Sequence, residues 1–391
     1  MKVALVYDRV NKWGGAERVL LALHKIWPEA PLYTSVYDPK SAPWAKVFDI
    51  RTSFLQKVPF VRTHHEWFAW LMPLAFESFN FDGYDLVISV TSAEAKGIIS
   101  KPNTLHISYI LTPTHYLWGI EKGEEYHRFG RLAPLVKVFA LPFLSYLRAW
   151  DKIASQRPDI LLAISKNVQK RIVKYYGRSS EVIYPPVDVR KFQISNIKCQ
   201  INPKFQISNT KYFLVVSRLV PYKRVDIVVQ AFNKLGWNLK IIGIGSEMEK
   251  LKRMAKDNIE FLGQLTDNEL VSYYQNCQAV IFPQEEDFGL VPLEAQACGK
   301  PVIAYRGGGA TETVIDGKTG LFFYPPATPK QAYACDGGRG PQTALLIKVL
   351  ESFNPKKFRP VDCREQAEKF SEERFLTEFK KKVEEVFFNK F

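Results

Sequence analysis

Two glutamates, Glu286 and Glu294, bracket the stretch EEDFGLVPLEAQACGKPVIA at residues 285–304. Pro292 suits the first position of a helix, where its missing N–H costs nothing. That phasing sets the backbone amides of Gly289, Leu290 and Val291 at the positive end of a helix, where anions bind. Glu294 then falls in the first turn, and Glu286 lies on the loop before it. A phosphate cradle with a hydroxyl-accepting carboxylate on each side suits a sugar nucleotide. The plain alternative is that a glutamate in a first helical turn only caps it. A second glycine-bearing turn, Gly14–Gly15 in NKWGGAE, follows the first apolar run. Glycine lets a backbone approach a ligand closely, although a tight turn alone also explains the pair.

The elements that must position these residues alternate through the chain. KVALVYD (2–8), YDLVISV (84–90), HISYIL (106–111) and DILLAIS (159–165) read as buried parallel strands. YFLVVSR (212–218), NLKIIGIG (238–245), IEFLG (259–263), QAVIFPQ (278–284) and PVIAYR (301–306) repeat the pattern, with helical runs at 225–236 and 266–277. Two such βα arrays predict two Rossmann-like, doubly wound α/β domains facing a central cleft. The expected division is 1–190, joined by the C-terminal helix 371–391, then a linker at 191–210, then 211–370. The linker holds a tandem copy of KFQISN (191–196 and 204–209), and PATPKQAYACDGGRG (326–340) reads as an inserted loop.

The chain has 391 residues, a formal net charge of +14 and five scattered cysteines with no metal-ligand spacing. Those cysteines fit a reduced, cytosolic compartment, and the N-terminus lacks the features of a signal peptide. Between Arg131 and Lys191 there are twelve Lys/Arg against four Asp/Glu. No zinc finger or RNP motif accompanies the charge, so nucleic acid is not the expected partner. LAPLVKVFALPFLSYLRAW (132–150) is apolar with basic and aromatic edges, and its apolar run is too short to span a bilayer. It reads either as a segment lying on an anionic membrane surface or as a buried helix pair with a basic rim.

Five patterns occur in one order: GGAERVL (14–20), SKNVQKRIVKYYGRSSEVIYPPVD (165–188), SRLVPYKRVDIVVQAF (217–232), EDFGLVPLEAQACGKPVIA (286–304) and GGATETVIDGKTGLFF (308–323). Together they resemble the retaining family 4, or group 1, glycosyltransferases of GT-B fold. Within these they are most similar to mannosyltransferases of bacterial surface polysaccharide assembly. The resemblance implies hexose transfer, plausibly mannose from GDP-mannose, to a lipid-linked or saccharide acceptor at the inner membrane face. It implies Arg218 and Lys223 as the diphosphate-binding cations, Glu286 on the donor sugar and Glu294 on the ribose. It assigns Phe288, Gly289, Leu290 and Val291 to the donor loop, Gly263 and Gln264 to the base, and Gly14 and Gly15 to the donor phosphates and acceptor. Relatives often carry Y-x-H-T-P-x-R-Y where this chain has YILTPTHYLW, so Leu111 stands in the histidine position and His115 in that of the arginine. His115 is therefore the substitute to test. No Asp-x-Asp triplet is present, and the expectation is turnover with no cofactor and no essential metal. A non-catalytic nucleotide-sugar-binding protein of the same fold is the competing class. A nicotinamide-dependent oxidoreductase is less favoured, because the first loop lacks G-x-G-x-x-G.

Overall fold

A computed structural model describes residues 1–62, 64–118, 133–193, 211–324 and 341–390. The duplicated stretch of the linker from residue 194, the insertion at 326–340 and the start of the basic apolar segment, Arg131 and Leu132, lie outside the described residues. The chain divides into two compact units, residues 1–186 with 373–391 and residues 187–372. Residues 191–193, counted with the linker above, end a helix, Val189–Gln193, of the second unit.

The first unit is built on strands β1 (Val3–Tyr7), β2 (Leu32–Thr34), β3 (Ile50–Thr52), β4 (Leu86–Thr91), β5 (Leu105–Ile110), β6 (Ile160–Ala163) and β7 (Glu181–Val182). They form one sheet in the order β3-β2-β1-β4-β5-β6-β7, every pair parallel. β1, β4 and β5 are buried along their whole length, as apolar strands covered on both faces must be. Sequence periodicity finds β1, β4, β5 and β6 but not β2, β3 and β7. Those three have only two or three residues and are held by register with a neighbour rather than by an apolar run. The last helix, Glu372–Lys390, turns Phe375, Phe379 and Val383 inward. Phe375 and Phe379 lie edge-on to Tyr109 of β5 at 5.9 and 5.7 Å.

The second unit repeats the plan with β8 (Phe213–Val216), β9 (Leu239–Ile242), β10 (Ile259–Gly263), β11 (Val280–Phe282), β12 (Val302–Tyr305) and β13 (Gly320–Phe323), in the order β10-β9-β8-β11-β12-β13. All pairs are again parallel. Its core gathers Val215, Val228, Phe232, Ile241, Ile281 and Ile303. The helix Asp267–Asn276 starts at a capping box between Thr266 and Glu269, which satisfies two otherwise orphaned N–H groups. In each sheet the strand order reverses once, between β1 and β4 and between β8 and β11. Open α/β sheets bind ligands beyond the carboxyl ends of the strands at such a point.

Candidate functional site

At the second unit's reversal, β8 runs into Ser217 and Arg218, and β11 runs into Gln284 and Glu286. The loop after β8 forms a short turn, Pro221–Lys223. It hands over to the helix Val225–Leu235 through Arg224, whose φ of +53° is uncommon for a residue with a side chain. This turn brings Lys223 onto Glu286: the buried ammonium donates to Glu286 Oε1. Gln284 Nε2 donates to the same oxygen at 2.9 Å. Gln284 is buried and its Oε1 has no hydrogen-bond partner. Arg218 is exposed, and its Nη2 donates to the Tyr222 hydroxyl at 2.5 Å. Sequence reasoning therefore named three of the four polar side chains here and missed Gln284. Its signal was adjacency to Glu286 on a strand end.

The glutamate loop is held from below by a glycine run. Gly309 N donates to Glu286 O at 2.8 Å. A Cβ on Gly308, at φ +57°, would lie 2.1 Å from that same carbonyl, and one on Gly309 would lie 2.3 Å from Phe288 Cα. Only glycine lets the two loops close on each other, which gives the GG of the GGATET pattern a physical reason.

The helix following Glu286 corrects the sequence phasing. It spans Leu290–Ala297 behind Gly289, whose φ is +89°. Pro292 is thus its third residue rather than its first. Glu294 belongs to the second turn, is buried and accepts from the Tyr274 hydroxyl at 2.8 Å. Proline is still harmless there, since the first turn has no intrahelical acceptors for its N–H groups. Phe288 is buried against Phe370, with ring centres 5.7 Å apart, so only its backbone faces outward chemistry. Gly263 ends β10 at φ +69° beside a register shift, and Gln264 after it is exposed.

In the first unit, Gly14 caps the helix Gly15–Ile26 with no side-chain bond. Three residues on, Glu17 is buried. Its Oε1 accepts from the Tyr7 hydroxyl at 2.7 Å and its Oε2 has no partner. Burial and then Glu17 push the Tyr7 hydroxyl well above its ordinary range. Asp8, at the end of β1, ties the reversal together. It accepts from Thr91 Oγ1 at 2.7 Å, Ser92 N at 2.7 Å and Ala95 N at 2.8 Å. Beside it Glu94 takes Arg9 at 3.4 Å and the Tyr116 hydroxyl, and burial raises its carboxyl. His65 approaches Asn11 at 3.5 Å, and burial followed by Arg9 lowers its imidazole to about 4. His115 is exposed at the start of a four-residue helix, His115–Trp118, in which Tyr116 turns to Glu94.

Residues 198–334 match the family described as glycosyl transferases group 1. An uncharacterized glycosyltransferase of Methanocaldococcus jannaschii is 28% identical over 61% of this chain and 63% of its own length. A GDP-mannose-dependent phosphatidylinositol monomannoside mannosyltransferase of Mycolicibacterium smegmatis is 31% identical over 41% of this chain and 48% of its own. The chain thus spans less than two thirds of the length of these curated relatives. Among solved structures, Anabaena HepE in complex with UDP-glucose superposes with a TM-score of 0.70 at 17% identity, covering 98% of this chain and 100% of HepE. Sucrose-phosphate synthase of Thermosynechococcus elongatus gives 0.71 at 17% identity, with 99% of each covered. The fold is that of the GT-B glycosyltransferases, and the family read from the five motifs is borne out.

Proposed function

We propose that this chain, a member of the group 1 glycosyltransferase family with two parallel α/β units, transfers a hexose from a nucleotide sugar with retention of configuration. The observation that carries the reading is the meeting of Lys223, Gln284 and Glu286 beyond the carboxyl ends of β8 and β11, with Arg218 on the same loop as Lys223. As the sugar–phosphate bond breaks, negative charge grows on the diphosphate, and cations fixed beside it lower the barrier. An ammonium has three donors, so Lys223 can hold Glu286 Oε1 and still offer an N–H to a phosphate oxygen. The Arg218 guanidinium adds a planar fork of donors from the exposed side. With Oε1 taken by Lys223 and Gln284, Glu286 keeps Oε2 for hydroxyls of the donor sugar. The acceptor hydroxyl attacks the face the diphosphate leaves, and its proton passes to the departing phosphate oxygen. No side chain is consumed in that step. In the same reading Gly263 and Gln264 approach the base.

We take mannose from GDP-mannose as the donor and a lipid-linked or saccharide acceptor at the cytoplasmic face of a membrane. The mycobacterial relative, by its name, uses that donor on a phosphatidylinositol mannoside. Release of nucleoside diphosphate from GDP-mannose, UDP-glucose and UDP-galactose with membrane extract as acceptor tests this. Turnover with GDP-mannose, reduced about 10²–10³-fold in kcat by Lys223→Ala, is expected. Failure of every donor to turn over would overturn the transferase reading, and turnover of a UDP-sugar alone would overturn the donor.

A further inference from the structure

Gln284 holds a strained position that the fold alone does not require. It is 1% exposed, its Nε2 donates to Glu286 Oε1 at 2.9 Å, and its own Oε1 has no hydrogen-bond partner. A buried acceptor left without a donor destabilises a protein, and an apolar side chain of the same length would avoid that. The amide cannot turn over to relieve it. An ionised carboxylate only accepts, so the carbonyl of Gln284 cannot replace its N–H against Glu286. The orphaned carbonyl is thus the consequence of keeping one neutral N–H on the Glu286 carboxylate.

Among the described residues that carboxylate has two donors, Lys223 and Gln284, and both take Oε1. Glu285 beside it lies instead against Gly307 and Gly308. The two donors respond differently to a diphosphate. Lys223 is a cation, and a diphosphate competes with Glu286 for it. That competition sharpens as the sugar–phosphate bond breaks, because negative charge grows on the leaving group. The carboxamide is neutral and buried, so the same charge barely draws it. The Glu286 side chain is 26% exposed and has room to rotate once Lys223 is drawn off. We propose that Gln284 is a positioning residue for the sugar end of the donor. It keeps Glu286 Oε1 occupied while the diphosphate claims Lys223, so that Oε2 stays available to the sugar hydroxyls. The inference rests on the transferase reading above and deepens it.

The test uses the full chain, the donor that turns over in the assay above, GDP-mannose as expected, and its nucleoside diphosphate as inhibitor. Gln284→Met keeps the length of the side chain and has neither the N–H nor the orphaned carbonyl. It is expected to unfold at the wild-type temperature or higher. It should bind the nucleoside diphosphate as wild type does, since that ligand has no sugar. Its kcat should fall about 10–100-fold, the worth of a hydrogen bond to a charged group, with little change in KM for the donor. Gln284→Glu can donate to Glu286 only when the two carboxylates share a proton. Its kcat relative to wild type should therefore rise as the pH is lowered. A wild-type kcat in Gln284→Met overturns the inference and leaves the transferase reading standing. So does a fall in kcat that comes with a lower unfolding temperature and weaker nucleoside diphosphate binding, which marks a structural role. A Gln284→Glu profile parallel to that of wild type overturns it as well. A wild-type chain that turns over no donor overturns both readings.

Discussion

His106 offers a stability test that the geometry specifies closely. It sits on β5 inside the sheet of the first unit, fully buried, with Nε2 2.9 Å from Ser89 Oγ. Ser89 Oγ donates onward to Ser108 Oγ at 2.8 Å. The hydroxyl proton is therefore spent, and His106 Nε2 must be the donor to Ser89. Nδ1 is then a bare lone pair with no partner. Protonation would add an N–H with nothing to accept it inside the sheet. Burial, opposed by Asp159 and assisted by Arg178, Lys390 and Arg157, lowers the imidazole from 6.5 to about 3. The unfolded chain thus takes the proton first. The contribution is complete above pH 6.5 and is lost progressively as the pH falls toward 3. Integrating between pH 7 and pH 5 gives a loss of about 2 kcal/mol from this one group, insensitive to the folded-state value once that lies well below 5. His106→Gln keeps a donor near the Nε2 position and removes the titration. Seven of the eight tryptophans lie in residues 1–186, so urea unfolding followed by tryptophan fluorescence reports on this unit. The wild-type minus variant difference in unfolding free energy should shrink by about 2 kcal/mol between pH 7 and pH 5. Equal pH slopes for the two proteins would refute the buried, neutral histidine and the hydrogen-bond direction inferred for it.

Two further outcomes follow from the second unit. Gly308→Ala forces a Cβ to 2.1 Å from Glu286 O, whereas Gly317→Ala, also at positive φ, meets nothing within 4 Å. Gly317→Ala should cost about 1–2 kcal/mol in unfolding free energy, while Gly308→Ala should cost more and also abolish thermal stabilisation by nucleotide sugar; equal behaviour would dissociate the glycine run from the Glu286 loop. In the function proposed above, Arg218, Lys223 and helix amides supply the positive charge, so turnover should persist in excess EDTA. Activity lost to the chelator and restored by magnesium or manganese would overturn that assignment.

Much of the architecture was legible because buried parallel strands carry their own signature. Runs such as LVISVT and LHISYI have no polar face to obscure them. The short edge strands were not legible, since IRT and EV acquire strand geometry only from the neighbour they pair with. At the site, residue types and spacing singled out Glu286, and the family resemblance implied Arg218 and Lys223. Neither could reveal that Lys223 and Glu286 are partners, because the residues are 63 apart and the turn at Arg224 brings them together. The helix start was misplaced by weighting Pro292 over Gly289, whose left-handed backbone terminates the preceding loop. Gln284 and Asp8 escaped notice because a single polar residue ending an apolar strand looks like an ordinary strand boundary.

The return of the last helix to the first unit has a consequence for synthesis. The surface of Tyr109 that Phe375 and Phe379 cover belongs to a strand made some 265 residues earlier. While the ribosome adds the second unit, that apolar surface waits without its cover. Residues 187–372 form a contiguous unit and can close as soon as they emerge. The unit that begins first is therefore completed last. During that interval the nascent chain carries an open apolar face, and a chaperone that binds such faces has its longest opportunity there.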